Sequence, residues 1–261
     1  MMEFIVPIFI FFFGTIVGSF LNVVILRKNT GESIVWDSSH CFSCGHKLGP
    51  ANLIPIFSFL FAKGRCGYCG SKISWQYPIV EFLVGIIFVL VYLKNTSSPS
   101  FYFALPAMLR IALQAGAFSS LLLIAVYDYK QKIIDTHFLI IFSAFVVIPW
   151  IFWRELNLSD FISSFFITLF FYLMWRFSDG RWMGRGDVNL VLPLSLFLGW
   201  PINLAMLFIS FWLGGLVGVL LLIFKNKKYG LKSEIPFGPF LVFACFIVWY
   251  ASSFFESFWM W

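Results

Sequence analysis

The sequence predicts an all-α polytopic membrane protein, with about eight transmembrane helices and a cytoplasmic zinc-knuckle loop. Three observations lead there. The chain is 61% hydrophobic and only 11% charged, whereas a soluble domain carries about a quarter charged residues. Several apolar runs approach or exceed the roughly 20 residues that cross a ~30 Å hydrocarbon core. These runs are continuous rather than alternating, so they lack the dyad pattern of a membrane β-barrel. Helices then remain as the way to satisfy the backbone in lipid.

The runs read as spans at 4–26, 78–93, 103–127, 137–153, 160–175, 188–199, 201–224 and 237–255. The first lacks a basic leader and a small-residue cleavage site, and so reads as a span rather than a signal peptide. The sixth is short and ends at Gly199-Trp200-Pro201, which predicts a half-span or a tilted helix hinged at the proline. Four connecting segments, 27–76, 128–136, 176–187 and 225–236, hold fifteen of the eighteen Lys and Arg residues and share one side in an eight-span arrangement. The positive-inside rule makes that side cytoplasmic and puts both termini outside. The net charge of +6 is thus first a topology signal. Its basic residues are too dispersed to suggest nucleic acid as a partner, and membrane lipid is the expected one.

Segment 27–76 departs from membrane composition. Its Cys41, Cys44, Cys66 and Cys69 form C-x2-C-x21-C-x2-C, two tight knuckles that together offer four thiolates to a tetrahedral metal such as zinc. Two disulfides or four unrelated thiols are the alternatives, but disulfides are rare in a reducing cytoplasm. A closed four-sulfur site keeps no open coordination position, so the expected role of the zinc is structural. His40 and His46 flank the first knuckle as candidate replacement ligands. Cys245, in the last apolar run, reads as a small core residue. The apolar stretch 53–61 is too short to span, and Pro55 predicts a break within it.

Ionisable residues at the membrane edge are candidates for function, because burying them is costly. Asp128 follows the third run and Asp187, in "MGRGDVNL", precedes the sixth. In the topology above both emerge at the cytoplasmic lip. Two partly desolvated carboxyls brought together share a proton near neutral pH, which is the machinery of an aspartic protease. Gly184 and Gly186 then let the backbone run close to an extended substrate. An Asp at a helix start is also an ordinary N-cap, and Asp135 and Asp179 compete within the same segments; spacing alone leaves all four open. Glu81 lies one turn inside the second run, as an ion-pair partner or an interfacial acid. Arg110 is about 27 Å along a helix from Asp128 and reads as snorkelling to the other face.

In order along the chain, "GSFLNVVILR" (18–27), "SHCFSC" (39–44), "GRCGYCGSKISWQYPIVE" (64–81), "GRGD" (184–187) and "EIPFGPFL" (234–241) resemble the bacterial type IV prepilin peptidases, or leader peptidases. These are membrane aspartic proteases of the GxGD type. The resemblance implies an inner-membrane enzyme that removes the basic leader of type IV prepilins or pseudopilins on the cytoplasmic side, after a glycine. It implies Asp128 and Asp187 as the catalytic pair. It further implies S-adenosylmethionine-dependent N-methylation of the new terminus by a region at 1–93, followed by a six-helix peptidase domain at 94–261. Gly64 and Glu81 are the candidate cofactor neighbourhood. Two positions depart from the family pattern: Ile134-Asp135-Thr136 stands where Ile-Pro-Asp is common, and Asn189 where lysine is common. Arg185, between the two glycines, does not attract a basic leader, so recognition is expected to rest on shape and on the substrate's apolar helix. A peptidase with a purely structural zinc loop is the alternative within the family. A non-enzymatic scaffold or transporter leaves the paired acids without a role.

Overall fold

The computed structural model describes residues 2–97, 107–153, 157–223, 236–252 and 254–255. Among these lie nine α-helices: α1 (Met2–Arg27), α2 (Phe57–Phe61), α3 (Gln76–Ser97), α4 (Ala107–Gln131), α5 (Thr136–Trp153), α6 (Leu158–Phe177), α7 (Arg185–Leu198), α8 (Ile202–Ile223) and α9 (Gly238–Tyr250). A helix stands on each of the eight apolar runs. The helices α1, α3, α4, α6 and α8 are long and apolar enough to cross a membrane, while α5 and α9 provide shorter apolar stretches. The protein is a multi-pass membrane protein. Helix α7 has 14 residues and is therefore only ~21 Å long. Residues 103–106 of the third run, Arg154, the lysines at 225, 227, 228 and 232, and residues 234–235 lie outside the described residues.

The chain forms two compact units, Met1–Ala115 and Gly116–Trp261, the division falling inside α4. In the first, α1 and α3 pack as an antiparallel pair over a glycine seam. A Cβ added at Gly14 would stand 2.9 Å from Gly85 Cα, and one at Gly18 would stand 2.7 Å from Glu81 Cα. From the other side, a Cβ at Gly85 would meet the Phe11 ring at 2.7 Å. Lipid supplies no hydrophobic drive between helices, so close backbone approach through small residues is what holds such a pair. Asn22 ties the ends together: its amide donates to the Tyr77 carbonyl at 3.2 Å and its oxygen accepts from Gln76 at 3.2 Å. Gly18→Val forces the two backbones apart and is expected to lower stability by about 1–3 kcal/mol, read as an earlier thermal transition in detergent. An unchanged transition would mean that the seam is not closely packed.

The chain leaves α1 through Arg27. Its buried guanidinium donates to the carbonyls of Ser33 (2.7 Å), Asp37 (2.8 Å) and Ser38 (3.0 Å) and pairs with Glu32 at 3.2 Å. A residue that reads as a topology charge therefore also folds the first part of the loop. The 53–61 stretch breaks at Pro55 as expected, into a 3₁₀ turn (Pro50–Leu53) and the short α2. Phe59 turns inward against Trp75, with ring centroids 4.8 Å apart, while Phe57, Leu60 and Phe61 stay exposed.

In the second unit α7 is the central helix. It packs against α5, α6, α8 and α9, and Phe197 meets Phe118 of α4 edge-on at 5.4 Å. Val188, Leu190, Val191, Leu194 and Leu198 are buried along it, the pattern of a helix enclosed by others. Its far end is pinned by polar contacts. Asp160 of α6 accepts the Trp200 backbone N–H at 2.8 Å, and Asn203 of α8 donates to Ser163 of α6 at 2.8 Å.

Candidate active site

At the other end of α7, three junctions of the second unit converge: the end of α4 with residues 132–135, the GRGD turn, and the start of α9. Asp128, in the last turn of α4, is 5% exposed, and Asp187, third residue of α7, is 7% exposed. The two carboxyls come from residues 59 positions apart and lie within electrostatic range of each other. The Gly184 N–H donates to Asp187 Oδ2 at 3.2 Å, so this acid reaches back onto its own helix start. The Gly238 backbone N–H faces the Asp128 carboxyl, yet Asp128 Oδ2 is buried without a hydrogen bond among the described residues.

The rival acids stand elsewhere. Asp135 precedes α5 as its cap, accepting the His137 backbone N–H at 2.8 Å and lying 3.1 Å from that ring's Nδ1. Asp179 sits in a turn at φ 50°, 75% exposed, 3.8 Å from Arg176. Asp135→Ala is expected to cost about 1 kcal/mol of stability through the lost cap. Asp135→Ser should restore it, and cleavage should survive in both. A loss of cleavage as deep as that of an Asp128 variant would instead put Asp135 in the chemistry.

The two motif glycines differ. Gly186 has no room for a side chain, since a Cβ there would stand 2.9 Å from Ile134 Cβ. At Gly184, with φ −73°, an added Cβ would make only ordinary contact, 3.4 Å from Asp187 Oδ2. Arg185 points away, its guanidinium carbon 5.8 Å from the centre of the Trp175 ring. Gly238 also belongs to this site; it lies inside the "EIPFGPFL" stretch that carries the family resemblance, where it had no role of its own.

The first unit holds the cysteines. The four thiol sulfurs lie within 4.8 Å of one another, and Cys41 and Cys69 are 3.9 Å apart. Zinc–sulfur bonds of ~2.3 Å in a tetrahedron separate sulfurs by ~3.8 Å, so the donor set fits that metal. The knuckles are built alike. Gly45 and Gly70 both take φ 71°, and their N–H groups donate to Cys41 (2.8 Å) and Cys66 (2.9 Å) carbonyls. Backbone N–H groups of Cys44 and Ser43, with the Ser71 hydroxyl, bring the Cys41 thiol down to about 6, and Ser71 also lowers Cys69. These two shifts favour the thiolate that a metal needs, whereas at Cys44, against a hydrogen bond from the His46 backbone, burial and the Cys69 and Cys41 thiols push the group up to about 11. The histidines have other partners: His40 faces Glu32 at 3.7 Å, and the His46 ring lies tilted over Tyr68 with centroids 3.5 Å apart.

Gly64 and Glu81 both serve the segment between the knuckles. Glu81 accepts the Ile56 N–H at 2.7 Å, holding that residue at φ 63°, a strained conformation for a β-branched side chain. Gly64, at φ 66°, takes a conformation that favours glycine, and a Cβ there would press on the Phe59 ring at 3.1 Å. Nearby, Gln76 Oε1 is a buried oxygen without a hydrogen-bond donor among the described residues.

The model of the bacterial peptidase A24 N-terminal domain matches residues 12–95, and that of the type IV leader peptidase family matches residues 115–219. A prepilin leader peptidase/N-methyltransferase of Bacillus subtilis (strain 168) is 30% identical, with 88% of each chain covered. The chain belongs to the type IV leader peptidase family. A protein of the same description from Myxococcus xanthus (strain DK1622) is 32% identical over 84% of this chain, which spans 64% of that longer relative. One from Pseudomonas aeruginosa is 28% identical over 90% of this chain and 86% of its own. No solved structure matches. The two family models take in most of α1, the cysteine loop and α3, and then the stretch carrying both aspartates. Gly238 lies beyond them.

Proposed function

We propose that this chain cleaves the basic leader of type IV prepilins or pseudopilins on the cytoplasmic side of the inner membrane, after a glycine, with Asp128 and Asp187 as the catalytic pair. The observation that carries this reading is the meeting of two buried carboxyls from separate helices at one end of α7. Two such groups, desolvated and within each other's field, hold one proton between them. The ionised carboxylate takes a proton from water as the hydroxyl oxygen adds to the scissile carbonyl carbon. The protonated carboxyl then gives its proton to the departing amine, so one water is consumed and the amide C–N bond breaks. A substrate glycine frees the junction to extend toward the pair, and the prepilin's apolar helix stays in the bilayer.

The zinc held by Cys41, Cys44, Cys66 and Cys69 shapes the loop and takes no part in the hydrolysis. N-methylation of the new terminus accompanies cleavage in this reading, because the relatives bear both activities in their names. S-adenosylmethionine would supply the electrophilic methyl group. Peptidase activity alone is the second reading, favoured by the structural engagement of Glu81 and Gly64. Incubating the protein in liposomes with a model prepilin and methyl-labelled cofactor tests both. Cleavage after the glycine with label in the product supports the bifunctional reading, and cleavage without label supports the second. No cleavage at all overturns both.

A further inference from the structure

Ile134 lies against two glycines of the site, Gly186 and Gly238, and belongs to neither aspartate's helix. Its Cβ, Cγ1 and Cδ1 lie 2.9, 3.2 and 3.5 Å from where a Gly186 side chain would begin. Its Cδ1 also lies 3.5 Å from the corresponding point at Gly238, whose nearest neighbour is Asp128 Oδ2 at 2.5 Å. One half-buried side chain thus fills the gap between the GRGD turn, the start of α9 and the residues that follow Asp128. A Cβ approach below 3 Å forces something to move, and a packed interior passes such a shift to its neighbours. At Gly238 the neighbour is the carboxyl itself. At Gly186 it is a branched aliphatic chain lodged between backbones.

We infer that Ile134 is a positioning residue that sets the separation of Asp128 and Asp187, wedged between two positions, Gly186 and Gly238, that are glycine to make room for the wedge and for the Asp128 carboxyl. The inference rests on the assignment of those aspartates as the catalytic pair. It gives Gly186 and Gly238 different steric partners, and this difference makes it testable. Gly186→Ala presses on Ile134 and moves Asp187, one residue on. Gly238→Ala presses on Asp128 directly. A misplacement of about 1 Å costs on the order of 10²-fold in rate. Both variants should therefore lose about that much kcat with KM little changed, because the substrate's apolar helix still binds.

The deciding experiment is a double-variant cycle on prepilin cleavage. Ile134→Gly removes every atom that crowds position 186. Combined with Gly186→Ala it should recover at least about tenfold in kcat over Gly186→Ala alone, a coupling expected only of residues in contact. Combined with Gly238→Ala, it should recover little, since the Asp128 carboxyl still stands in the way. Gly215→Ala in α8, where an added Cβ meets nothing within 4 Å, controls for glycine replacement in a helix. Thermal transitions of all variants separate misfolding from misplacement. If Gly186→Ala does not fold, Ile134→Gly alone still reports: the inference requires kcat to fall with KM unchanged. Strictly additive losses, or a fall confined to KM, overturn the wedge while leaving the aspartate pair intact. Full activity of Asp128→Asn or Asp187→Asn overturns the pair and the wedge with it.

Discussion

Asp128→Asn and Asp187→Asn are each expected to reduce prepilin cleavage by at least about 10³-fold, the scale of a lost general acid or base, without unfolding the protein. The amide keeps the shape of the carboxyl but neither takes nor gives the proton. The double variant should be scarcely worse than either single one, because groups that act as a unit lose their effect together. The measurement is the initial rate of leader release in liposomes, with the thermal transition of each variant as the check on folding. A folded single variant that cuts at near wild-type rate would remove that residue from the pair. Asp135 and Asp179 would not inherit the role easily, since one caps α5 and the other faces solvent beside Arg176.

Metal removal is expected to have the second large effect. Between residues 28 and 75, Phe59 and Cys66 are the buried side chains, too little apolar surface to hold 48 residues in place. Structural zinc in small sites of this kind carries on the order of 10–16 kcal/mol of binding free energy, which becomes folding free energy. Purified protein should hold about one zinc per chain, and a strong chelator or Cys41→Ser with Cys66→Ser should open the loop to limited proteolysis between the knuckles. Reductant alone should change nothing. Protection lost on reduction instead would favour disulfides, and a metal-free protein with an intact loop and full cleavage would falsify the structural-zinc proposal.

The membrane helices were legible because lipid imposes long apolar runs, with Gly and Pro at their borders. The knuckles were legible because two short cysteine spacings have few other uses. The break at Pro55 followed from its missing N–H. The convergence at the active site is of another kind. Asp128, Ile134, Gly186, Asp187 and Gly238 are spread over 111 positions, and no local pattern announces that their three junctions meet. The family resemblance selected Asp128 and Asp187 from four acids, whereas their environments now separate them physically. Gly14, Gly18 and Gly85 were unread for a simpler reason. A glycine in an apolar run shows its purpose only when its facing helix is known, and the same holds for Gly238, hidden within an ordinary helix start.

The shortness of α7 means that at least one of its ends stops short of the membrane surface. A ~21 Å helix falls about 9 Å short of a ~30 Å hydrocarbon core, and polar groups stand at both its ends: the two aspartates at one, Asp160, Ser163 and Asn203 at the other. Because α5, α6, α8 and α9 enclose it, that shortfall is met inside the protein, by polar groups and water, rather than by lipid thinning around it. Water, one of the two reactants, is then expected to reach the pair along the protein's own polar surfaces, and not through lipid.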